Sequence, residues 1–547
     1  MQFPRAKSHA CKEDFVMNIG RVYTVALTGM HTDTVTVQGF ISQGLPQFTI
    51  VGLPDAVLTQ ARERVKSACK TTNFRWPQTR ITLNLSPSSL RKHGSSFDLS
   101  IAICIFSAMH CISSSILEDT VIVGELGLDG SVLPIVAALP IVLHARAMGM
   151  SRVILPQANE HEAQTVTGID VIGVSSIHET LKILGAPVTL IGSPPPAAAP
   201  TLFQQIDNDS DDFVHTSCED KTNDFSDVIG HEDAKYALQI AAAGGHHVLM
   251  QGPPGVGKTM LASRLPSILP DLDDEDTLEL ACIRSAQGKP VHFPLSRTPP
   301  FVSVHHNATL KSLVGGLAGN TIVPGAMTQA HHGVLFIDEA PECERAVMQA
   351  LRTPLESGHV TVARVRGHVN YPARFQLILA QNPCPCGRLW SPHGECICSS
   401  AELRRYRHRI SSALRDRLDM KINVRSVHAL SSSSAPTDMY SPLSGDHQHW
   451  DSEHMRENVR LARERSAARY RGLGWSVNAQ APGTWLMEHT PSSAIASLNA
   501  ELETETLSIR GAHKILRVAW TLTDVQGKAQ PDDADIANAH TLYCSGG

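Results

Sequence analysis

"QGPPGVGKTM", residues 251–260, is a glycine-rich loop entered from the strand-like run HHVLM and left through MLASRL, which can stay helical until Pro266. That strand, loop and helix order is the setting in which G-x-x-x-x-G-K-[ST] holds phosphates. Gly252, Pro253, Pro254, Gly255, Val256 and Gly257 make the loop, whose backbone N–H groups can wrap phosphate oxygens at a helix N-terminus. Lys258 reaches the outer phosphates, and the Thr259 hydroxyl is placed to ligate Mg2+. The expected cofactors are therefore ATP and Mg2+. A chance match in a loop is the competing reading, and the flanking strand and helix weigh against it.

The apolar run Val334–Ile337 ends in Asp338-Glu339. Magnesium-dependent phosphoryl chemistry needs one carboxylate at a strand's end for the metal shell, and a second beside it to polarise the attacking water. Asp338 fits the first role and Glu339 the second. A buried strand followed by two acids is commonplace alone; paired with the phosphate loop it points to hydrolysis. A further buried-strand run, RFQLILAQ, ends on Asn382, which is either a polar group that orients the water (sensor 1) or a turn-forming Asn before Pro383.

The chain has 547 residues, too many for one core, so several domains are expected. A hydrophobic share of 42% and a charged share of 18% are ordinary for a globular protein, and no apolar run reaches the ~20 residues of a spanning helix. No secretion signal opens the sequence, so a cytoplasmic location and no membrane partner are expected, with Met17 a candidate start. A net charge of −6 gives no global attraction to nucleic acid, so any such contact must be local.

The fold expected is multidomain α/β. Residues 1–16 read as a non-native or disordered extension, 17–187 as an α+β domain, and 188–223 as a Pro/Ala-rich and acidic linker. Residues 224–426 carry the ATP motifs on a parallel sheet, 427–450 form a Ser/His-rich linker, and 451–547 read as a helical lid in which HKILRVAWTLTDV is the clearest amphipathic stretch.

The order of these motifs resembles the Mg chelatase-type branch of AAA+ ATPases, and nearly the whole chain is similar to the ComM/YifB family. The resemblance is carried by DVIGHEDAKYALQIAAAGGHHVLMQGPPGVGKTMLASRLPSILP, GAMTQAHHGVLFIDEAPE, LRTPLESGHVTVARVRGHVNYPARFQLILAQNPCPCG and RYRHRISSALRDRLDM. In the first domain FTIVGLPDAVLTQARERVKSA, ITLNLSPSSLRKHGSSFDLSIA and GELGLDGSVLPI carry it, and in the last LSIRGAHKILRVAWTLTD. It implies that Val228, Ile229 and Gly230 line the adenine pocket. It also implies that Arg417 is an arginine finger acting on a neighbouring subunit, with Arg409 a weaker candidate, and that Arg510 is sensor 2. A finger in trans implies a homo-hexamer. Each of these arginines, taken singly, is as well read as a surface ion pair.

In the same branch, a hairpin before sensor 1 points into the ring pore and grips DNA. Here HVTVARVRGHVNYPARF reads as that hairpin, with Arg364, Arg366 and His368 as DNA contacts; an ordinary solvent-exposed hairpin is the alternative. The stretch PPFVSVHHNATLKSLVGGLAGN, with His305 and His306, stands at the family's other pore-facing insert. The first domain resembles the Lon protease catalytic domain, which implies Ser96 at the nucleophile position. Leu139 stands where that fold has its Lys, so no protease activity is expected. Cys384, Cys386, Cys396 and Cys398 form C-x-C, nine residues, C-x-C: either a structural Zn2+ site or a cluster of reduced thiols.

The resulting expectation is an ATP-dependent hexameric DNA motor, a helicase or branch-migration translocase on single-stranded or branched DNA, with recombination proteins as further partners and natural transformation as its setting. The alternative is a magnesium-chelatase-type motor that remodels a protein partner. A nucleotide-binding scaffold without activity is disfavoured by Lys258, Asp338, Glu339 and Asn382.

Overall fold

The computed structural model describes residues 19–52, 55–87, 95–187, 189, 214–217, 223–289, 291, 294–318, 321–364, 367–390, 395–425 and 450–544. The extension 1–16, the second linker apart from Trp450, and most of the first linker lie outside them. By contacts the chain divides into two units: residues 1–206 with 285–290, and residues 207–284 with 291–547.

The first unit is built on a seven-stranded mixed sheet. Its order is Gln47–Val51, Arg80–Ser86, His31–Ser42, Ile19–Thr28, Thr120–Ile122, Arg152–Pro156, Asp170–Val174. The long strands Ile19–Thr28 and His31–Ser42 pair antiparallel around Gly29-Met30, and alternate residues of both, such as Val22, Val35 and Val37, are buried, as a sheet with one covered face requires. That face is covered by the apolar helix Asp98–Ala108, which is buried on all sides. Within this helix Asp98 is held by the Arg64 guanidinium. Burial pushes its carboxyl up to about 6, with the arginine pulling the other way.

The second unit carries a six-stranded sheet in the order Val214–Ser217, Phe301–Val304, Val334–Ile337, Gln376–Gln381, Val248–Gln251, Met420–Asn423. All pairs are parallel except the first. The inner strands are apolar at almost every position because helices cover both faces, which is why they read as continuous hydrophobic runs. The strand that feeds the phosphate loop sits between the last two chain segments of the sheet. This order sets the phosphate loop beside Asn382, which follows it by more than a hundred residues, and one strand further from Asp338. The edge strand Val214–Ser217 falls in the segment read as linker. Its four residues, VHTS, are too short to show a period, and they become a strand by pairing with Phe301–Val304.

The helices Ser452–Arg469, Gly483–His489, Ser492–Glu503, Ile509–Gln526 and Asp533–Cys544 follow. Ser508 caps the longest apolar one by accepting the Gly511 N–H at 3.1 Å, and Ile515, Leu516, Ala519 and Leu522 are its fully buried stripe. Their side chains share one hydrophobic cluster with Val248, Met250 and Phe336 of the sheet, so the helical segment and the sheet have a common core. Beneath it, Arg469 is paired with the buried Asp524, which also accepts from Asn478 Nδ2 at 2.8 Å. Among the described residues, no helix is long and apolar enough to cross a membrane.

Candidate ATP site

The strand Val248–Gln251 is wholly buried and delivers the loop at the carboxyl edge of the sheet, where ligands of parallel α/β sheets bind. Gly252 N–H bonds to Gln381 O at 3.2 Å, which ties the start of the loop to the neighbouring strand. Gly255 (φ 78°) and Gly257 (φ 91°) then take left-handed backbone that a side chain resists, and this turns the chain into the helix Lys258–Ser263. The helix breaks there and resumes as Leu265–Ile268, with Pro266 in its first turn.

Lys258 is only 8% exposed. Its ammonium donates to Gly252 O (2.7 Å), Pro253 O (2.9 Å) and Asn382 Oδ1 (3.1 Å). Burial pulls its pKa below the usual lysine value, while the carboxylates of Asp338 and Glu339 oppose that shift. Thr259 Oγ1 donates to Asp338 Oδ2 at 2.8 Å, which places two hard oxygen donors side by side at the end of Val334–Ile337. That donor set fits Mg2+. A bound Mg2+ would be held by these two groups and would neutralise charge on the phosphates.

Glu339 adopts left-handed backbone (φ 47°), uncommon for a residue with a Cβ, and its N–H donates to Asp338 Oδ1 at 2.8 Å. The turn points the two carboxylates of consecutive residues to different neighbours, Asp338 to Thr259 and Glu339 to His306. Glu339 Oε2 lies 2.8 Å from His306 Nδ1, with side chains 45% and 27% exposed. This corrects the reading of PPFVSVHH as part of a pore insert. Phe301–Val304 is a core strand parallel to Val334–Ile337, so its end brings His306 to the carboxylate. His306 is the residue of the site that local sequence reasoning missed; only the strand pairing reveals it. An exposed ion pair is worth at most ~1 kcal/mol, so His306→Ala is expected to free the carboxylate and raise basal ATP turnover by about fivefold at most. Steady-state turnover beside nucleotide affinity, which should stay constant, checks this.

Val228 is buried and its carbonyl accepts Lys235 Nζ at 2.6 Å, Ile229 is 59% exposed, and Gly230 has φ 69°. Together they form the turn leading into the helix Glu232–Gly244. The arginines are distributed less compactly. Arg417 is paired with Glu356, Arg409 donates to Pro341 O (3.1 Å) and the Glu342 carboxylate, and Arg510, 72% exposed, lies 3.7 Å from Asp416. Arg409 thus sits next to the Asp338-Glu339 turn of its own chain.

The hairpin pairs His359–Arg364 with Gly367–Pro372 in register from His359↔Pro372 to Arg364↔Gly367. His368 is exposed; Arg366 and the side chain of Arg364 lie outside the described residues. The hairpin closes with Ala373 N–H bonding to Gly358 O at 2.8 Å, and the same backbone runs on as Gln376–Gln381 to Asn382.

Two residues beyond Asn382 the four cysteines gather. Cys384 and Cys386 sulfurs are 3.4 Å apart, and each lies 3.7 Å from Cys396 Sγ. Backbone N–H groups of Arg388 and Ile397 pull the Cys386 thiol down to about 6, toward the thiolate a metal needs. The turn touches the phosphate loop: a Cβ added at Gly387, itself at φ 74°, would come within 2.8 Å of Pro254 Cδ. In the first unit, Ser96 is part-buried and its carbonyl accepts Gly124 N–H, while Leu139 is fully buried with its N–H on Ser285 Oγ at 3.2 Å.

Residues 224–431 match the family "Magnesium chelatase, subunit ChlI", residues 37–159 "Subunit ChlI of Mg-chelatase", and residues 449–542 "Magnesium chelatase, subunit ChlI C-terminal". An uncharacterized protein of Mycobacterium tuberculosis is 39% identical over 97% of this chain and 99% of its own length. The uncharacterized protein YifB of Escherichia coli is 35% identical, covering 96% of each chain. The competence protein ComM of Haemophilus influenzae is 34% identical over 96% of this chain and 97% of its own. With identity at this level along almost the full length, and with the Mg chelatase-like ATP module complete, the chain belongs to the ComM/YifB family.

Proposed function

We propose that the chain is a ring-forming, ATP-driven motor that pulls on single-stranded or branched DNA, with Lys258, Thr259, Asp338, Glu339 and Asn382 turning over ATP. The observation that carries this reading is the continuity of one strand. At its start stands the His359–Pro372 hairpin; at its end Asn382 touches the ammonium of Lys258. A change in phosphate state felt at Asn382 therefore has a direct mechanical path to the hairpin. Arg364, Arg366 and His368 would meet DNA phosphates, whose charge supplies most sequence-independent affinity. The similarity to a competence protein agrees with a substrate of this kind. In the ring, a hexamer, Val228, Ile229 and Gly230 hold adenine, Arg417 and Arg510 reach the phosphates, and the first unit, Lon-like in fold, guides substrate without peptidase chemistry because Leu139 supplies no base.

The matches to magnesium chelatase families favour a second reading, the remodelling of a protein partner. Forked DNA separates the two. Under the motor reading it stimulates ATP turnover and is unwound, and Lys258→Ala abolishes both; turnover indifferent to DNA transfers the assignment to protein remodelling.

The cysteine cluster is proposed to hold structural Zn2+. Sulfurs at ~2.3 Å from a tetrahedral ion stand about 3.8 Å apart, close to the separations here and far from the ~2.05 Å of a disulfide. Metal analysis is expected to find about one zinc per chain through these cysteines, and Cys396→Ser with Cys398→Ser to remove it and weaken nucleotide binding through the contact of Gly387 with Pro254. Protein without zinc would overturn this assignment.

A further inference from the structure

At the opposite end of the Val334–Ile337 strand from Asp338 stands a cluster that phosphate chemistry does not use. His331 and His332 precede Gly333 and the strand. His332 has φ 57°, left-handed backbone uncommon for a residue with a Cβ. With that backbone the two imidazoles lie side by side, ring centroids 3.8 Å apart, and both Nε2 atoms stand 3.0 Å from one oxygen, Oε2 of Glu279. His332 Nε2 is also 3.2 Å from Oδ1 of Asp276, one turn earlier on the helix Asp274–Ala286.

His331 Nδ1 accepts the Arg374 N–H at 2.9 Å, so the ring proton of a neutral His331 is on Nε2, facing Glu279. His332 Nε2 carries at most one proton and faces two carboxylates. Two imidazole nitrogens thus face one carboxylate oxygen, with the second carboxylate, that of Asp276, 3.2 Å from His332. Ligand atoms at ~2.0–2.2 Å from a tetrahedral ion stand about 3.3–3.6 Å apart, and the Glu279 oxygen stands 3.0 Å from each imidazole nitrogen. The Glu279, His331 and His332 ligand atoms all lie within 4.8 Å of one another. The histidines come from inside, 1% and 13% exposed, and the carboxylates from the solvent side, 41% and 35% exposed, which leaves an ion a way in.

We propose that Glu279, His331 and His332 bind a divalent transition-metal ion of the Zn2+ class, with the Asp276 carboxylate beside His332, at a site distinct from the Mg2+ site and the cysteines. Two imidazoles with a carboxylate select such ions over Mg2+ or Ca2+, which prefer all-oxygen sets. The ion would pin the Asp274–Ala286 helix where the strands at Val334 and Gln376 start. There His332 N–H bonds to Arg374 O at 2.7 Å and Gln376 N–H to Gly333 O at 2.9 Å, just after the hairpin.

Co2+ titration of the full chain in excess Mg2+ tests this. With the cysteines already loaded with Zn2+, the expected result is a visible ligand-field spectrum without the near-ultraviolet charge-transfer band of thiolate ligation, one Co2+ per chain. Glu279→Gln and His332→Asn should each weaken it at least tenfold; asparagine tolerates left-handed backbone, so that variant keeps the turn. Circular dichroism and nucleotide affinity should match the parent chain. A chain that gives only the thiolate-type spectrum, or a second spectrum that survives both substitutions, overturns the proposal.

Discussion

Glu339→Gln is expected to keep ATP bound and to lose about 10²–10⁴-fold in turnover, the range a positioned general base contributes. Glutamine preserves the size of the side chain and the backbone N–H bond to Asp338 Oδ1, while removing the only feature the role requires, a carboxylate able to take a proton from water. Lys258 and Thr259, proposed to hold phosphate and metal, make none of the hydrogen bonds described above to Glu339, so affinity should stay near the parent value. Turnover beside equilibrium binding of a fluorescent ATP analogue reads the two separately. Loss of less than tenfold would transfer the base role to another group and leave Glu339 as a partner of His306.

The second large effect concerns Arg417. Its guanidinium is paired with Glu356 of its own chain; burial presses its pKa down, and the nearby Arg510 and Arg352 add to that. A finger that completes a neighbour's site is worth about 10³–10⁵ in turnover, so Arg417→Ala should abolish hydrolysis while leaving nucleotide affinity intact. Mixing the two inactive variants provides the sharper test. In rings with head-to-tail contacts assembled at random from equal amounts, about a quarter of interfaces pair an intact Glu339 with an intact Arg417. Activity should therefore reappear on mixing. Two inactive proteins that stay inactive together, although shown to co-assemble, would mean that Arg417 acts within its own chain or on structure alone.

Much of this site was legible in short stretches. The phosphate loop, the Asp338-Glu339 pair and Asn382 each lie at the end of an apolar run, because the middle of a strand buried on both faces is apolar and polar residues return toward its ends. The hairpin was legible too, since its alternation survives in HVTVAR and GHVNYP. The edge strand Val214–Ser217 was not, as four residues without a period acquire strand geometry only from the partner beside them. His306 was assigned to an insert because the sequence does not state that Phe301–Val304 lies next to Val334–Ile337.

What the sequence alone determined, then, is the chemistry available: a lysine on a glycine-bounded loop, two adjacent acids, an asparagine and four thiols, all encoded by residue type and by spacing within a few positions. What only the tertiary structure decided is which of these groups meet. Lys258 with Asn382, Thr259 with Asp338, His306 with Glu339, and His331 and His332 with Glu279 are all pairs brought together across the chain. Such contacts follow from the order of strands in the sheet and the packing of helices against it. That order is set by the burial of the whole apolar surface, a sum over the domain that no local segment contains.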